Sequence, residues 1–170
     1  MLLAAINKIR LQYVNIQNLV LYIVAWWTSV LFMNEALAYS FSLLMFHFLL
    51  SNQMLSDFIF MLKVAMIGIA VDGLLINSGV FHFSEAPYWL MLLWCHFAIA
   101  LRYSFSFAQK QPVYLNAVLG GIAGCVSYLV GAYCEATRIP LGYWITGVIS
   151  FCTWFVLFPI FVHASKRTVE

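Results

Sequence analysis

Charge is what this sequence has least of. Charged residues make up 8% of its 170 positions, against about 25% in an average soluble domain. So few charges cannot coat a water-facing surface, which excludes a soluble globular domain. With 65% apolar residues, the chain is also not disordered, a state that needs low hydrophobicity and high charge. Regular alternation of polar and apolar residues is missing as well, which argues against a transmembrane β-barrel. Cysteine is sparse and unpaired in pattern: Cys95, Cys125, Cys134 and Cys152 form no C-x-x-C. That spacing supports neither a disulfide framework nor a structural zinc site, so the four thiols read as small hydrophobes. No H-E-x-x-H, Walker loop, dinucleotide fingerprint, nucleophile elbow or acidic metal cluster is present. The basic residues are few and not interleaved for nucleic acid. The expectation is therefore no metal, no cofactor and no nucleic-acid partner.

What is present is a series of long apolar blocks, with a mean hydropathy of +0.95. The fold class is an all-α membrane protein. A helical span needs about 20 residues, and six fit: 13–33, 36–55, 58–80, 87–107, 113–133 and 141–162. They fill the chain as one integral membrane domain, residues 1–170, with no room for a soluble one. Pro87 suits the first turn of span four, and Pro159 is expected to kink span six. A rival reading makes the first block a signal peptide, with Lys8 and Arg10 before it and Ala36-Leu37-Ala38 as a cleavage site. The long polar stretch after Arg10 argues against it.

Loop charges orient the spans. With the N-terminus inside, Lys8, Arg10, Lys63, Lys110, Lys166 and Arg167 fall on the inner side, and Arg102 lies near the inner end of span four. The outer side holds Glu35, Glu85, Glu135 and one cation, Arg138. That is the positive-inside bias, and it predicts six spans with both termini cytoplasmic. Membrane lipids are the expected surroundings and partners. A partner membrane protein or a homodimer is a further expectation.

Asp72 is the residue most in need of an explanation. An acid within a span costs about 2.5–3.5 kcal/mol on insertion scales, so something must compensate it. It shares a small, polar helix face with Gly68 and Gly79. One reading is a binding or proton-handling carboxylate; the other is an acid near the membrane edge that pairs a neighbouring helix. His96, near the middle of span four beside Trp94, is a candidate partner for it across the helix pair. A satisfied core histidine is the plainer reading of His96, and His47 is a weaker case of the same kind. Arg102 lies too far in depth from Asp72 for a direct bond. It reads as a snorkelling anchor and a candidate contact for lipid phosphate. In span five Gly120 and Gly124 form G-x-x-x-G, and Ser127 and Gly131 continue the small-residue spacing, which predicts close helix packing or a dimer seam. With Tyr128, these residues complete a candidate polar intramembrane site of Asp72, Trp94, His96, Ser127 and Tyr128.

An ordered set of residues supports a resemblance. Gly68, Asp72, Leu75 and Gly79 are followed by Pro87 and Trp89. Leu93, Trp94, Phe97, Ala98, Leu101 and Ser104 come next. Leu119, Gly120, Gly124, Ser127, Tyr128, Gly131 and Ala132 close the set. The set resembles a domain-of-unknown-function family of small polytopic inner-membrane proteins of Gram-negative bacteria. The resemblance implies a compact helical membrane domain in the bacterial inner membrane, with no established activity and no residue role to carry over. It also implies genes placed near enzymes that modify membrane fatty acids. Three functions stay open: a lipid-binding protein or accessory to lipid modification, a small proton-coupled transporter using Asp72, and an intramembrane lipid-modifying enzyme using Asp72 and His96.

Overall fold

The computed structural model describes residues 2–166, with side chains described from residue 12 onward. Lys8, Arg10 and Arg167, three of the inner cations, therefore carry side chains outside the described residues. Among the described residues the fold has six α-helices: α1 Leu2–Phe32, α2 Leu37–Leu50, α3 Met54–Asn77, α4 Tyr88–Arg102, α5 Val113–Tyr133 and α6 Gly142–Ala164. Among the described residues there is no strand, only one isolated backbone bridge between His82 and Arg138. The stretch Gln12–Leu50 and the helices α3, α5 and α6 are long and apolar enough to cross a membrane, while α4 is apolar but shorter. At 1.5 Å per residue, the 24 residues of α3 run about 36 Å, beyond the roughly 30 Å of a hydrocarbon core. The outer surface is strongly apolar: Leu49 is 83% exposed and Trp144 91%. Asp57, Ser29, Thr146 and Ser150 are fully buried. Lipid outside and polar groups inside is the arrangement a bilayer selects.

Contacts fix the helix directions. Ser104, just past α4, donates to the Asn15 carbonyl about midway along α1, and Val30 near the end of α1 clusters with Trp89 at the start of α4. Helices α1 and α4 are thus antiparallel. A short 3₁₀ turn, Met33–Ala36, reverses the chain, with Met33 at φ 48°. Helix α2 then runs back beside α4, from Ser40 near His96 to His47 near Tyr103. It ends at Leu50, short of the 55 expected, because Ser51 turns extended. Its hydroxyl accepts the Gln53 backbone N–H and donates to Asp57. Helix α4 likewise ends at Arg102 and not near 107; Ser106–Lys110 form a separate 3₁₀ turn. Pro87 immediately precedes α4, and Pro159 lies within α6.

Helices α5 and α6 pair along a glycine-rich face. The glycines receive the aromatic side chains of α6 at their roots, so the two helices approach closely, as the small-residue spacing predicted. A Cβ at Gly120 would overlap Phe158, one at Gly121 would lie 2.7 Å from Phe151, and one at Gly124 would overlap Trp154. Rings from α6 thus sit where α5 has no side chains. Gly68 on α3 does the same for Trp94. Two expected packing glycines behave otherwise. Gly131 has open space beside it. Gly79 lies past the end of α3, at φ +75°. Its N–H donates to the Ile76 carbonyl and the Val80 N–H to that of Leu75, the paired bonds of a Schellman C-cap. Gly79 therefore terminates a helix, where a Cβ would be strained.

Candidate functional site

Asp72 ties three helices together. From α3, its Oδ2 accepts the Trp94 indole N–H of α4 at 2.6 Å, and its Oδ1 accepts the Tyr128 hydroxyl of α5. The carboxylate is 5% exposed. Both donors have a fixed reason to point at it: a buried indole N–H can only donate, and a carboxylate is an acceptor. The rings are clamped in turn. Trp94 fills the space over Gly68 and stacks on Trp154, with centroids 5.2 Å apart. Tyr128 stacks on Phe81 at 4.7 Å. Asp72 thus positions two aromatic side chains and keeps itself out of reach.

Those two rings face a cavity of about 410 Å³ between α1, α4, α5 and α6. It extends along α5 from Asn116 to Gly131, about 22 Å at 1.5 Å per residue. Of its 23 lining residues, 11 are aromatic and none is charged, so the interior suits an apolar guest held against flat, rigid rings. Phe107, Leu119 and Ala123 line it and are also exposed on the outer surface, which opens it sideways. One side-chain hydrogen bond crosses the gap between α1 and α5 among the described residues: the Trp26 indole N–H donates to Ser127 Oγ at 3.0 Å.

His96 belongs elsewhere. Its Nε2 lies 3.0 Å from the Ser40 carbonyl and 3.1 Å from the Ser40 hydroxyl, so it ties α4 to α2. Among the described residues no hydrogen bond joins it to Asp72, and it does not line the cavity. The acid–base pair of Asp72 and His96 is corrected accordingly: the two side chains leave α3 and α4 toward different neighbours. Of the five candidates, Asp72, Trp94 and Tyr128 meet directly, Ser127 adjoins them through the cavity, and His96 stands apart.

Arg102 is also corrected. It does not snorkel freely toward lipid phosphate. Its Nη1 bonds Asp57 Oδ1 at 3.0 Å and Ser56 Oγ at 2.8 Å, and its guanidinium lies 4.5 Å from the centre of the Phe60 ring. Asp57 is 0% exposed. Its Oδ2 accepts Ser51 at 2.7 Å and Tyr103 at 2.6 Å, with His47 at 3.4 Å. A charge so deeply buried needs several donors; Arg102, Ser51 and Tyr103 donate hydrogen bonds to it, and the His47 ring lies close by. Asp57 falls between the spans expected at 36–55 and 58–80, next to Ser56, where the sequence looks like a loop. The available signal was an acid and an arginine near the same ends of neighbouring antiparallel helices. The cluster joins the α2–α3 turn to the end of α4. Among the described residues no group of three or more His, Cys, Asp or Glu gathers to hold a metal.

Compared with known proteins, residues 15–160 match the family described as protein of unknown function (DUF2878). No curated protein and no solved structure matches the chain.

Proposed function

The chain belongs to the DUF2878 family, and from that premise we propose that it is a lipid-binding protein of the bacterial inner membrane. The slot between α1 and α5 holds an apolar chain taken sideways from the bilayer. Six helices cross the membrane and both termini face the cytoplasm. The charge distribution supports this orientation. Gln109, beside Lys110, donates to Ser165, beside Lys166, so two cations mark one end of the bundle. Glu85 and Glu135 lie in loops at the other end. That is the positive-inside pattern.

The observation that carries the reading is the cavity itself: long, aromatic, uncharged and open where the surface is apolar. A guest there exchanges lipid contacts for flat protein surfaces and needs no polar partner along most of its length. The lining offers binding and no paired nucleophile and base, so the protein holds its guest and does not transform it. Asp72 acts from behind the wall, setting Trp94 and Tyr128.

The test is native mass spectrometry of protein purified from its own membrane. Wild type is expected to retain one lipid after surrounding lipids are stripped. Ala123→Phe, which fills the slot from an exposed lining position, is expected to lose it at equal abundance. The same retained lipid in both forms overturns the proposal.

A further inference from the structure

The polar groups of the slot say what kind of lipid it takes. Four hydroxyls line it: Tyr22, Ser127, Tyr128 and Thr137. Tyr128 donates a hydrogen bond to Asp72, Ser127 accepts from Trp26, and Thr137 donates to the His82 carbonyl. Tyr22 is different. Its ring is fixed edge-on against Phe105, with centroids 5.6 Å apart, but among the described residues its hydroxyl makes no hydrogen bond. It lies one helical turn along α1 from Trp26, about 6 Å, within the length of the slot. A tyrosine hydroxyl on an apolar cavity wall normally finds a partner. The Tyr22 hydroxyl therefore has a hydrogen bond to offer a guest in the slot.

The rest of the lining narrows the chemistry. No lysine, arginine, histidine, aspartate or glutamate lines the slot. A carboxylate or phosphate brought inside would leave its water without a compensating cation, which costs far more than burying a neutral oxygen. The Tyr22 hydroxyl both donates and accepts, and so matches an alcohol oxygen.

Resting on the lipid-binding reading above, we infer that the guest is an electrically neutral long-chain alcohol-type lipid whose oxygen hydrogen-bonds the Tyr22 hydroxyl within the slot. A lipid with a charged headgroup is excluded from that position. Recognition is by one neutral hydrogen bond in a dry, aromatic sleeve, so selectivity against an alkane of the same length is modest and selectivity against an anion is large.

Tryptophan fluorescence tests this, because Trp26, Trp89, Trp94 and Trp154 all line the slot. Three bromine-tagged quenchers of equal chain length are titrated into purified protein: an alkane, a primary alcohol, and a fatty acid kept ionised. Quenching in Ala123→Phe gives the background from lipid-exposed tryptophans. The alcohol is expected to bind about three- to tenfold tighter than the alkane, the net worth of one hydrogen bond, and the carboxylate weakest. In Tyr22→Phe the alcohol is expected to fall to the alkane's affinity while the alkane is unchanged. Equal binding of alcohol and alkane in wild type, or tightest binding of the carboxylate, overturns this inference and leaves the apolar slot standing. Quenching by all three no greater than in Ala123→Phe overturns both.

Discussion

Trp94 lies flat against Trp154, with ring planes 5° apart and centroids 5.2 Å apart. That contact joins α4 to α6 while the other edge of Trp94 is held by Asp72 on α3. One indole therefore sets the spacing of three helices, and the wall of the slot depends on it.

Removing the acceptor is expected to cost more than removing its charge. Asp72→Ala leaves the Trp94 N–H and the Tyr128 hydroxyl without their partner. Each buried unpaired group costs about 1–3 kcal/mol, somewhat less where membrane neighbours rearrange. Asp72→Asn keeps one acceptor oxygen and is expected to lose less than half as much. Unfolding titrations in mixed micelles measure both, and equal losses would refute the account.

Two glycines on one helix are expected to respond with opposite sign. At Gly68 a methyl group overlaps the Trp94 ring, and overpacking of this kind costs about 1–3 kcal/mol. At Gly73 nothing lies within 4 Å of the added atom, so alanine stabilises the helix by about 0.5–1 kcal/mol. Thermal unfolding of Gly68→Ala and Gly73→Ala tests the pair, and shifts of the same sign would contradict the packing described.

The Asp57–Arg102 bond is expected to behave as a buried ion pair. Arg102→Met alone costs about 3–5 kcal/mol, because Asp57 loses its cationic partner while fully buried. Adding Asp57→Leu recovers much of that loss. A double-mutant cycle reads the coupling directly, and additive losses would show that the two charges are independent.

Ser127→Ala frees the Trp26 indole from α5. The expected result is a small change in stability, within about 1 kcal/mol, and faster exchange of bound lipid through the side opening. Stopped-flow dissociation of a fluorescent fatty alcohol measures it. An unchanged off-rate would mean that the bond does not hold the slot closed.

The apolar blocks were legible because a bilayer demands about 20 such residues in a row, and each block became a helix. Asp72 was legible for the same reason, an acid where none is cheap. Its partners Trp94 and Tyr128 belonged to the candidate site, but the expected partner was His96, because neither an indole nor a phenol in an apolar block announces its hydrogen bond. Asp57 was not legible: it follows Ser51, Asn52, Gln53 and Ser56, so its neighbours in sequence look like a loop, while its burial depends on Arg102 and Tyr103, 45 and 46 residues away. His96 found Ser40 at a separation of 56, which no local spacing encodes. The slot was least legible of all. It exists because α1 and α5 stand apart, and a gap has no sequence signature of its own.

The order in which the chain is made gives the Asp72 bonds a history. Trp94 follows Asp72 by 22 residues and Tyr128 by 56. At synthesis rates of about 5–20 residues per second, the hydroxyl partner arrives on the order of 3–11 s after the acid. Through that interval the carboxylate must be tolerated with one donor at most, and α1 to α4 stand without the final hairpin. Insertion of α5 and α6 then satisfies the acid and walls off the slot in one event. Completion of the Asp72 site therefore waits on α5, and a chain truncated before Tyr128 would leave the acid with one of its two donors.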